Sequence, residues 1–190
     1  MNKILVTGGA GFIGSHLVEY LSKKNKVVVL DKLMHGNKIR NINKNIKLVK
    51  GDVRDYELVK NCAKNCSTII HLAAILGVDI VSDRNLETME CEFEGLKNVC
   101  EAAKKNNVKK ILYSSSSGVY GKLNYKFNVK EEAIVAPVSA YAIAKRSAEL
   151  YLQNFYIDNK ITSIALRLFN VYGPRQDERM FISRFIIQVF

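Results

Sequence analysis

Four closely spaced glycines near the start of the chain constrain its fold more than any other feature. They lie at positions 8, 9, 11 and 14, directly after an apolar run at residues 4–6 that is typical of a buried parallel strand. Apolar residues then recur at helical spacing, at Phe12, Ile13, Leu17, Val18 and Leu21. In such a turn, Gly8 allows a tight bend, Gly11 lets the backbone approach a pyrophosphate, and Gly14 lets the helix pack closely. The segment therefore predicts a dinucleotide site at a helix N-terminus, where free N–H groups and the helix dipole favour phosphates.

An acidic residue after the second apolar run agrees with a dinucleotide site. The run at residues 27–30 ends at Asp31, and a carboxylate at that place binds the hydroxyls of an adenine ribose in dinucleotide folds, which favours NAD over NADP. The glycine spacing, Gly-x-x-Gly-x-x-Gly, differs from the Gly-x-Gly-x-x-Gly of dehydrogenases, and glycine triplets also occur by chance. A glycine-rich turn that binds nothing is the alternative. The flanking strand and helix favour the dinucleotide site.

Strand-like and helix-like patterns alternate along the rest of the chain. Further strands are predicted at residues 46–50, 67–73, 109–113 and 162–168, and further helices after Asp55, over residues 83–107 and over residues 141–159. This alternation predicts an α/β fold with a parallel, doubly wound sheet and helices on both faces. Ligands bind beyond the carboxyl ends of such strands. The residues expected there are the glycine turn, Asp31, Asp52, Ala73, the serines at positions 114–117 and Asn170.

The formal net charge of +11 invites comparison with nucleic-acid-binding proteins. The lysines, however, are scattered among asparagines, and no aromatic or arginine-rich stripe accompanies them. We interpret the charge as a solvated surface that also attracts anionic nucleotides, and we expect no nucleic acid as a partner. A basic nucleic-acid-binding protein is the alternative, and salt-dependent binding of DNA or RNA would reveal it.

The sequence predicts neither a membrane span nor a metal site. It has no apolar run of roughly eighteen residues, and its early glycines fall where the apolar segment of a signal peptide should be, so we expect a cytoplasmic protein with no membrane partner. The cysteines lack the spacing of a zinc site, and we expect them to be buried thiols. They are Cys62, Cys66, Cys91 and Cys100. His71 lies in a predicted buried strand and is expected to pack in the core rather than to catalyse.

Tyr141 and Lys145 are the strongest candidates for acid/base chemistry. They lie four residues apart, on the same face of one predicted helix. A phenol with the reference pKa of about 10 is a poor base at neutral pH, but a neighbouring ammonium, together with a positive nicotinamide ring, favours its ionised form. A hydroxyl of the serine run would hold a substrate oxygen within reach of the phenol. Such a pair is common on exposed helices, but the preceding serine-rich strand end in a dinucleotide fold favours a catalytic pair.

Six segments of the chain resemble those of the extended short-chain dehydrogenase/reductases, and specifically of the NAD-dependent nucleotide-sugar epimerases and dehydratases. They span almost the whole chain in the family's order and spacing: Thr7-Gly-Gly-Ala-Gly-Phe-Ile-Gly14, Gly51-Asp-Val-Arg-Asp55, His71-Leu-Ala-Ala74, Ser114-Ser-Ser-Ser-Gly-Val-Tyr-Gly121, Tyr141-x-x-x-Lys145 and Arg167-Leu-Phe-Asn-Val-Tyr-Gly-Pro-Arg175. The resemblance implies a Rossmann-like fold. It also implies an NAD-binding domain over residues 1–175 and the start of a substrate-binding region over residues 176–190.

The resemblance further implies roles for individual residues. Tyr141 would be the acid/base and Lys145 would bind the nicotinamide ribose. Ser116, with Ser115 as its nearest rival, would supply the catalytic hydroxyl and contact the substrate. Asn170 would reach the sugar nucleotide and Phe169 the nicotinamide side. The residues implied to contact NAD are Gly8, Gly11, Phe12, Ile13, Gly14, Asp31, Asp52, Val53, Leu72, Ala73, Ala74, Ser114, Tyr141, Lys145 and Phe169.

Two positions favour an epimerase over a dehydratase. Dehydratases that resemble this chain carry an Asp-Glu pair after the catalytic hydroxyl residue, and decarboxylases carry a glutamate just before Val-Tyr-Gly; here these positions are Ser117 and Gly118. The pattern then resembles that of a UDP-hexose 4-epimerase. In that reaction Tyr141 would remove the 4-hydroxyl proton while a hydride passes to NAD, and the hydride would return to the other face of the 4-keto sugar. A dehydratase or reductase of the same family is the alternative, and a product that is only a 4-keto-6-deoxy sugar would reveal the dehydratase.

Two departures from the family pattern bear on activity. The family usually has Asn-Val-x-Gly-Thr in the long helix, where this chain has Glu92-Phe-Glu-Gly-Leu96, so a glutamate replaces the asparagine that orders this helix beside the cofactor. Members of the family are also much longer, and their C-terminal part builds most of the sugar pocket. An NAD-binding module without turnover is therefore a further alternative. Members of the family commonly form dimers through a pair of helices, so the resemblance implies a homodimer through the helices at residues 85–107 and 141–158.

Overall fold

Six parallel strands form the sheet on which the candidate site is built. The computed structural model describes residues 1–75, 85–122, 128–178 and 180–189. Within them the strands are β1 (Lys3–Thr7), β2 (Lys26–Asp31), β3 (Ile46–Lys50), β4 (Thr68–His71), β5 (Lys110–Ser116) and β6 (Thr162–Leu168). The helices are α1 (Phe12–Leu21), α2 (Tyr56–Cys62), α3 (Asn85–Lys105), α4 (Ala140–Asn159) and α5 (Phe181–Val189), and a 3₁₀ turn spans Ser117–Tyr120.

The strand order β3-β2-β1-β4-β5-β6 confirms the doubly wound sheet that the sequence predicts. Every neighbouring pair of strands is parallel. From β1 the chain first moves outward to β2 and β3, and it then returns to place β4 on the other side of β1. The strand order reverses between β1 and β4, and the region beyond the carboxyl ends of the strands at such a point is the usual ligand site of these sheets.

Alternate strand residues contribute to two separate apolar cores. Leu5 and Val28 are buried in a cluster with residues of α2, α3 and α4, whereas Val6 and Val29 pack with Val18 of α1. Because successive side chains of a strand point to opposite faces of the sheet, these two clusters place helices on both faces, as predicted. All four cysteines are buried free thiols, which confirms that expectation.

Some predicted boundaries differ from the observed ones by a few residues. β4 ends at His71 rather than at residue 73, since its ladders with β1 and β5 both end there, opposite Thr7 and Tyr113. β5 continues to Ser116 rather than ending at residue 113, because β6 pairs with it as far as Ser116 and Leu168. The helix predicted over residues 83–107 is observed as α3, and residues 83 and 84 lie outside the described residues.

The α5 helix and the edge strand β6 carry exposed apolar side chains. Phe181, Phe185 and Val189 are each more than half exposed, and Ile164 and Leu166 of β6 are each 40% exposed. An apolar surface of this kind is typical of one that another polypeptide segment covers. None of the described helices, α5 included, is both long and apolar enough to cross a membrane.

The Glu19 carboxylate of α1 holds two loops against that helix. It accepts two hydrogen bonds from the Arg175 guanidinium, at 2.8 and 3.0 Å. The backbone N–H groups of Arg40 and Asn41 also donate to it. The loop after β2 and the loop after β6 are thereby both fixed on α1. The Arg175 guanidinium, ahead of the backbone donors, lowers the pKa of Glu19 to about 2.

We expect this carboxylate to make the fold sensitive to acid. A carboxyl group with a lower pKa in the folded state stabilises the fold above its unfolded pKa, here 4.5, and this stability is lost as the pH falls through about 2. The free energy of unfolding, measured with urea between about pH 5 and about pH 2, should therefore fall more steeply for the wild-type chain than for Glu19→Gln. Equal slopes for the two chains would contradict this account of the Glu19 contacts.

Candidate active site

The glycine turn forms an open cradle at the start of α1. Gly8 has a φ of +68°, and a Cβ on it would lie 2.6 Å from the backbone nitrogen of Ala73. A Cβ on Gly14 would collide with the carbonyl oxygen of Gly8, so both positions need glycine for the fold itself. A Cβ on Gly11, in contrast, would lie 3.4 Å from the Gly8 oxygen, which is an ordinary contact. Gly11 is also the N-cap of α1 and makes no side-chain cap hydrogen bond, so the first-turn N–H groups are suited to binding an anion.

Asp31 lies beside this cradle. Its carboxylate accepts the N–H of Ala10, within the glycine turn, at 2.9 Å and the N–H of Leu33 at 2.8 Å. Each carboxylate oxygen retains a lone pair that could accept from a hydroxyl group. The predicted ribose-binding carboxylate is thus brought next to the predicted phosphate-binding turn.

Asp52 and Val53 are engaged within the protein. The Arg54 guanidinium donates to both oxygens of Asp52, and Lys32 Nζ lies 3.1 Å from one of them. The Arg54 guanidinium holds the pKa of the Asp52 carboxyl well below its usual range. The Val53 side chain is buried against Gly95. The NAD contacts predicted for these two residues are therefore left to their backbone atoms and to the remaining lone pairs of the Asp52 carboxylate.

The segment after β4 runs beside the glycine turn, as expected. Leu72, Ala73 and Ala74 are all partly exposed, and the N–H of Ala73 donates to Thr7 Oγ1 at 3.4 Å. Phe12 and Ile13, in the first turn of α1, are partly exposed as well. All five positions therefore have surface available for a bound nucleotide.

Tyr141 and Lys145 lie in the first two turns of α4. The helix begins after Ser139, whose hydroxyl accepts the N–H of Ala142 at 3.2 Å. Lys145 is 1% exposed, and its Nζ lies 5.5 Å from the centroid of the Tyr141 ring. The Tyr141 side chain is only partly buried. The phenol is therefore accessible, while the ammonium beside it is shielded from water.

The Lys145 ammonium has a partner that the sequence analysis does not identify. Its Nζ lies 2.9 Å from Glu92 Oε2 and donates to the carbonyl oxygen of Ser114 at 2.8 Å. Glu92 is fully buried, and the Tyr113 hydroxyl donates to the same Oε2 at 2.8 Å. Burial, followed by the Glu92 carboxylate, raises the pKa of Tyr113 well above its ordinary range, so this phenol stays protonated. The only sequence signal was the glutamate at the family's asparagine position, which does not say what it contacts.

The structure separates the two candidate serine hydroxyls. Ser115 is 3% exposed, and its hydroxyl donates to Glu149 Oε1 at 2.5 Å. Ser116 is partly exposed at the end of β5, and its Oγ accepts the N–H of Gly118 at 3.1 Å, which leaves its own O–H available as a donor. Ser114 donates its hydroxyl to the carbonyl oxygen of His71 at 3.2 Å. Ser116 is therefore better placed than Ser115 to bind a substrate oxygen.

Glu149 anchors α4 to β6, and sequence reasoning misses it. Arg167 donates to both Glu149 oxygens at 2.9 Å, and Arg146 donates to one of them at 2.9 Å. Burial raises the pKa of Glu149, but the hydrogen bonds from Arg167, Ser115 and Arg146 outweigh it, so the pKa is lower than its ordinary value. This ionised carboxylate fixes the Ser115 side chain, and with it the strand end that carries Ser116.

His71 is fully buried, as expected of a core residue. Its Nδ1 lies 2.6 Å from Thr7 Oγ1, and its ring stacks on that of Tyr113 at a centroid distance of 5.8 Å. Burial, followed by the Lys145 charge, lowers the pKa of His71 to about 3. The imidazole is therefore neutral at neutral pH.

Phe169 and Asn170 follow β6 and are both exposed. The Phe169 ring lies 6.4 Å from the ring of Tyr120, centroid to centroid. Both residues thus extend from the carboxyl end of the strand next to β5, which carries the candidate serines at its own carboxyl end. This is the edge of the sheet at which the sequence places its site residues.

A known protein family matches almost the whole chain. The family described as NAD dependent epimerase/dehydratase family matches residues 4–189. The dTDP-D-glucose 4,6-dehydratase of Dictyostelium discoideum is 36% identical over 208 residues, which cover 98% of this chain and 48% of that protein. The chain therefore spans about half of the length of this relative.

Two solved structures of epimerases share the fold. The UDP-N-acetylglucosamine 4-epimerase of Methanobrevibacter ruminantium, in complex with UDP-N-acetylmuramic acid, has a TM-score of 0.93 and 37% identity, over 99% of this chain and 62% of that one. The UDP-glucose 4-epimerase of Thermus thermophilus, in complex with NAD, has a TM-score of 0.85 and 34% identity, over 93% of this chain and 58% of that one. With the family match extending over almost all of its residues, the chain belongs to the NAD dependent epimerase/dehydratase family.

Proposed function

We propose that this chain binds NAD and provides the acid/base residues of a nucleotide-sugar 4-epimerase. The observation that carries the proposal is the arrangement of Tyr141 and Lys145. A buried ammonium lies beside an accessible phenol, on the helix that follows β5 in a sheet whose first strand ends in a glycine cradle. The epimerases from Methanobrevibacter ruminantium and Thermus thermophilus support the assignment through their sequence identity and fold.

The residues around the cradle fit a dinucleotide. The uncapped first turn of α1 would bind the pyrophosphate, with Gly11 providing the space for its approach. Asp31 would accept hydrogen bonds from the adenine ribose. Lys145 uses two of its three N–H donors on Glu92 and Ser114, so the third would be available to the nicotinamide ribose. In this position NAD would supply a reversible hydride acceptor for the sugar.

Tyr141 would remove the proton of the sugar 4-hydroxyl and later return it. The Lys145 Nζ lies 5.5 Å from the centroid of the Tyr141 ring, on the same helix, so it would help to hold the phenol in place for this step. The Ser116 hydroxyl would donate to the same sugar oxygen and orient it toward the phenol. Ser115 is a poor candidate for that role because its hydroxyl already donates to Glu149.

The residues after Ser116 favour epimerisation over dehydration. Loss of water from a 4-keto sugar needs an acid that protonates the departing hydroxyl, and the 3₁₀ turn offers only Ser117 and Gly118 at the positions where dehydratases carry carboxylates. Dehydration is the second candidate, because the Dictyostelium discoideum relative with 36% identity is a dehydratase. The reaction products distinguish the two.

We infer a UDP-linked sugar as substrate, a cytoplasmic location and a homodimer. The UDP-N-acetylmuramic acid in the Methanobrevibacter ruminantium structure supports the nucleotide, and the free thiols are typical of a reducing compartment. Exposed apolar side chains on α3 and α4 support a dimer through these helices. They are Leu86, Phe93, Ile143 and Leu150, which are 42–76% exposed.

NAD binding tests the first half of the proposal, and the glycines provide matched variants. Gly11→Ala should keep the wild-type melting temperature, because its φ of −76° suits alanine, but it should weaken NAD binding about tenfold or more because the added methyl group fills the cradle. Gly14→Ala should instead lose stability through its collision with Gly8. Calorimetric titration and thermal melts measure both. A wild-type chain that does not bind NAD, or a Gly11→Ala chain that binds it as tightly, would contradict the cradle as the site.

Product analysis tests the second half. The chain would be incubated with UDP-glucose and with UDP-galactose, and the nucleotide sugars would be separated and identified. Interconversion of the two sugars, or of another pair of 4-epimers, is the expected result. Formation of a 4-keto-6-deoxy product alone would assign a dehydratase. Tight NAD binding without conversion of any UDP-sugar would leave an NAD-binding module.

A further inference from the structure

The Glu92 carboxylate contacts the Lys145 ammonium in the interior behind the candidate site. The two charged atoms are 2.9 Å apart, and neither side chain is more than 1% exposed. Glu92 lies on α3 and Lys145 on α4, so the ion pair also joins these two helices. Oε2 of Glu92 accepts the Tyr113 hydroxyl as well, whereas Oε1 has no hydrogen-bond partner among the described residues. Two donors on one oxygen are typical of an ionised carboxylate.

The charges cancel within the buried cluster that Lys145, Glu92, Tyr113 and His71 form. His71 is neutral at neutral pH, because burial and then the Lys145 charge lower its pKa to about 3. Tyr113 remains protonated, because burial and the Glu92 carboxylate raise its pKa. Lys145 and Glu92 are thus the charged members, one positive and one negative. The cluster therefore has no net charge. Without the Glu92 carboxylate, the Lys145 ammonium would give it one positive charge.

The neighbouring charged group is balanced separately. Glu149, one turn beyond Lys145 on α4, pairs with Arg146 and Arg167 rather than with Lys145. Glu149 also accepts the Ser115 hydroxyl, so these contacts lie on the face of β5 that carries Ser115. A change at Glu92 would therefore alter the charge around Lys145 and leave the Glu149 group as it is.

The charge of this cluster matters because the two forms of NAD differ in charge. The nicotinamide ring is positive when oxidised and neutral when reduced. An uncompensated ammonium at the nicotinamide ribose disfavours the positive ring, and a carboxylate paired with that ammonium removes most of this effect. The field of a buried pair is also screened less by solvent than that of a surface pair.

We propose that Glu92 is a positioning residue that neutralises Lys145 and thereby shifts the cofactor preference of the site from NADH toward NAD⁺. The inference rests on the proposed NAD site. With the Ser114 carbonyl, Glu92 also fixes the ammonium so that its third N–H remains for the cofactor ribose. Because epimerisation has no net oxidation, its cycle begins and ends with the oxidised cofactor. A bias toward NAD⁺ would favour release of the hydride back to the sugar.

The test is the ratio of two dissociation constants, that of NADH over that of NAD⁺. We expect the wild-type chain to bind NAD⁺ at least as tightly as NADH, and Glu92→Gln to lower the ratio about tenfold, because one unit of negative charge is lost near the ring. Glu92→Asp keeps the charge and should keep the wild-type ratio. Tyr113→Phe removes a hydrogen bond from the same carboxylate oxygen without changing the charge, and its ratio should stay within about twofold of wild type.

The outcomes separate the role of Glu92 from the existence of the NAD site. A merely structural role would weaken both forms alike in Glu92→Gln, and an unchanged ratio would overturn the inference. If Glu92→Gln does not fold, the wild-type ratio decides, because tighter binding of NADH than of NAD⁺ overturns the inference as well. Failure of the wild-type chain to bind either form would instead contradict the proposed function.

Discussion

Replacing Lys145 by methionine is expected to lower the free energy of unfolding by about 3–5 kcal/mol. The substitution removes the ammonium from Glu92, whose side chain is fully buried, and leaves the Tyr113 hydroxyl as its hydrogen-bond donor. Without a counter-charge, most of the desolvation cost of the buried carboxylate is left uncompensated. Methionine matches the length of the lysine stem, so the loss reports the charge rather than a cavity. Urea denaturation at neutral pH measures it.

A second substitution separates the ion pair from general damage to α4. Replacing both partners, as Lys145→Met with Glu92→Leu, should recover most of the lost stability, because two apolar groups in place of a buried pair are often neutral or stabilising. Lys104→Met, at an exposed position of α3, should change the unfolding free energy by no more than about 0.5 kcal/mol. A single Lys145→Met variant as stable as wild type would show that the pair is not held as described.

The sheet and its helices follow from local patterns in the sequence. The strand predicted at residues 162–168 coincides with β6, and the helix predicted over residues 141–159 differs from α4 by one residue. Side-chain period and turn residues carry this information, since each element is encoded within its own segment. The position of the glycine turn at the end of β1 then fixes which end of the sheet binds a ligand.

The partners of the site residues could not be predicted in the same way. Glu92 contacts Lys145 only because α3 and α4 pack side by side, and helical spacing within either segment says nothing about that neighbour. Glu149 is similar, because its charge looks like that of a solvated helix face until Arg167 of β6 is placed against it. A charged residue on a helix is usually exposed, so tertiary packing has to reveal the exceptions.

The choice between the two adjacent serines also depends on tertiary contacts that the sequence does not reveal. Counting along the sequence favours Ser116 but leaves Ser115 open, because the family resemblance alone does not say which hydroxyl is free. In the strand, adjacent side chains point to opposite faces. Ser115 therefore meets Glu149 in the interior, while Ser116 stays partly exposed at the strand end.

Removing the Tyr141 hydroxyl is expected to lower the rate of 4-epimer formation about 10²- to 10⁴-fold, because proton transfer to and from the sugar oxygen loses its acid/base group. Tyr141→Phe keeps the ring that lies 5.5 Å from the Lys145 ammonium, so this cation–π contact remains. The side chain is partly exposed, and we expect NAD affinity and melting temperature to stay close to those of wild type.

Tyr20→Phe, at a 70% exposed position of α1, is the matched control and should leave the rate unchanged. Because the Tyr141 variant would bind the cofactor and fold normally, a loss of turnover can be assigned to the proton transfer itself, and a Tyr141→Phe chain with wild-type turnover would remove this phenol from the reaction.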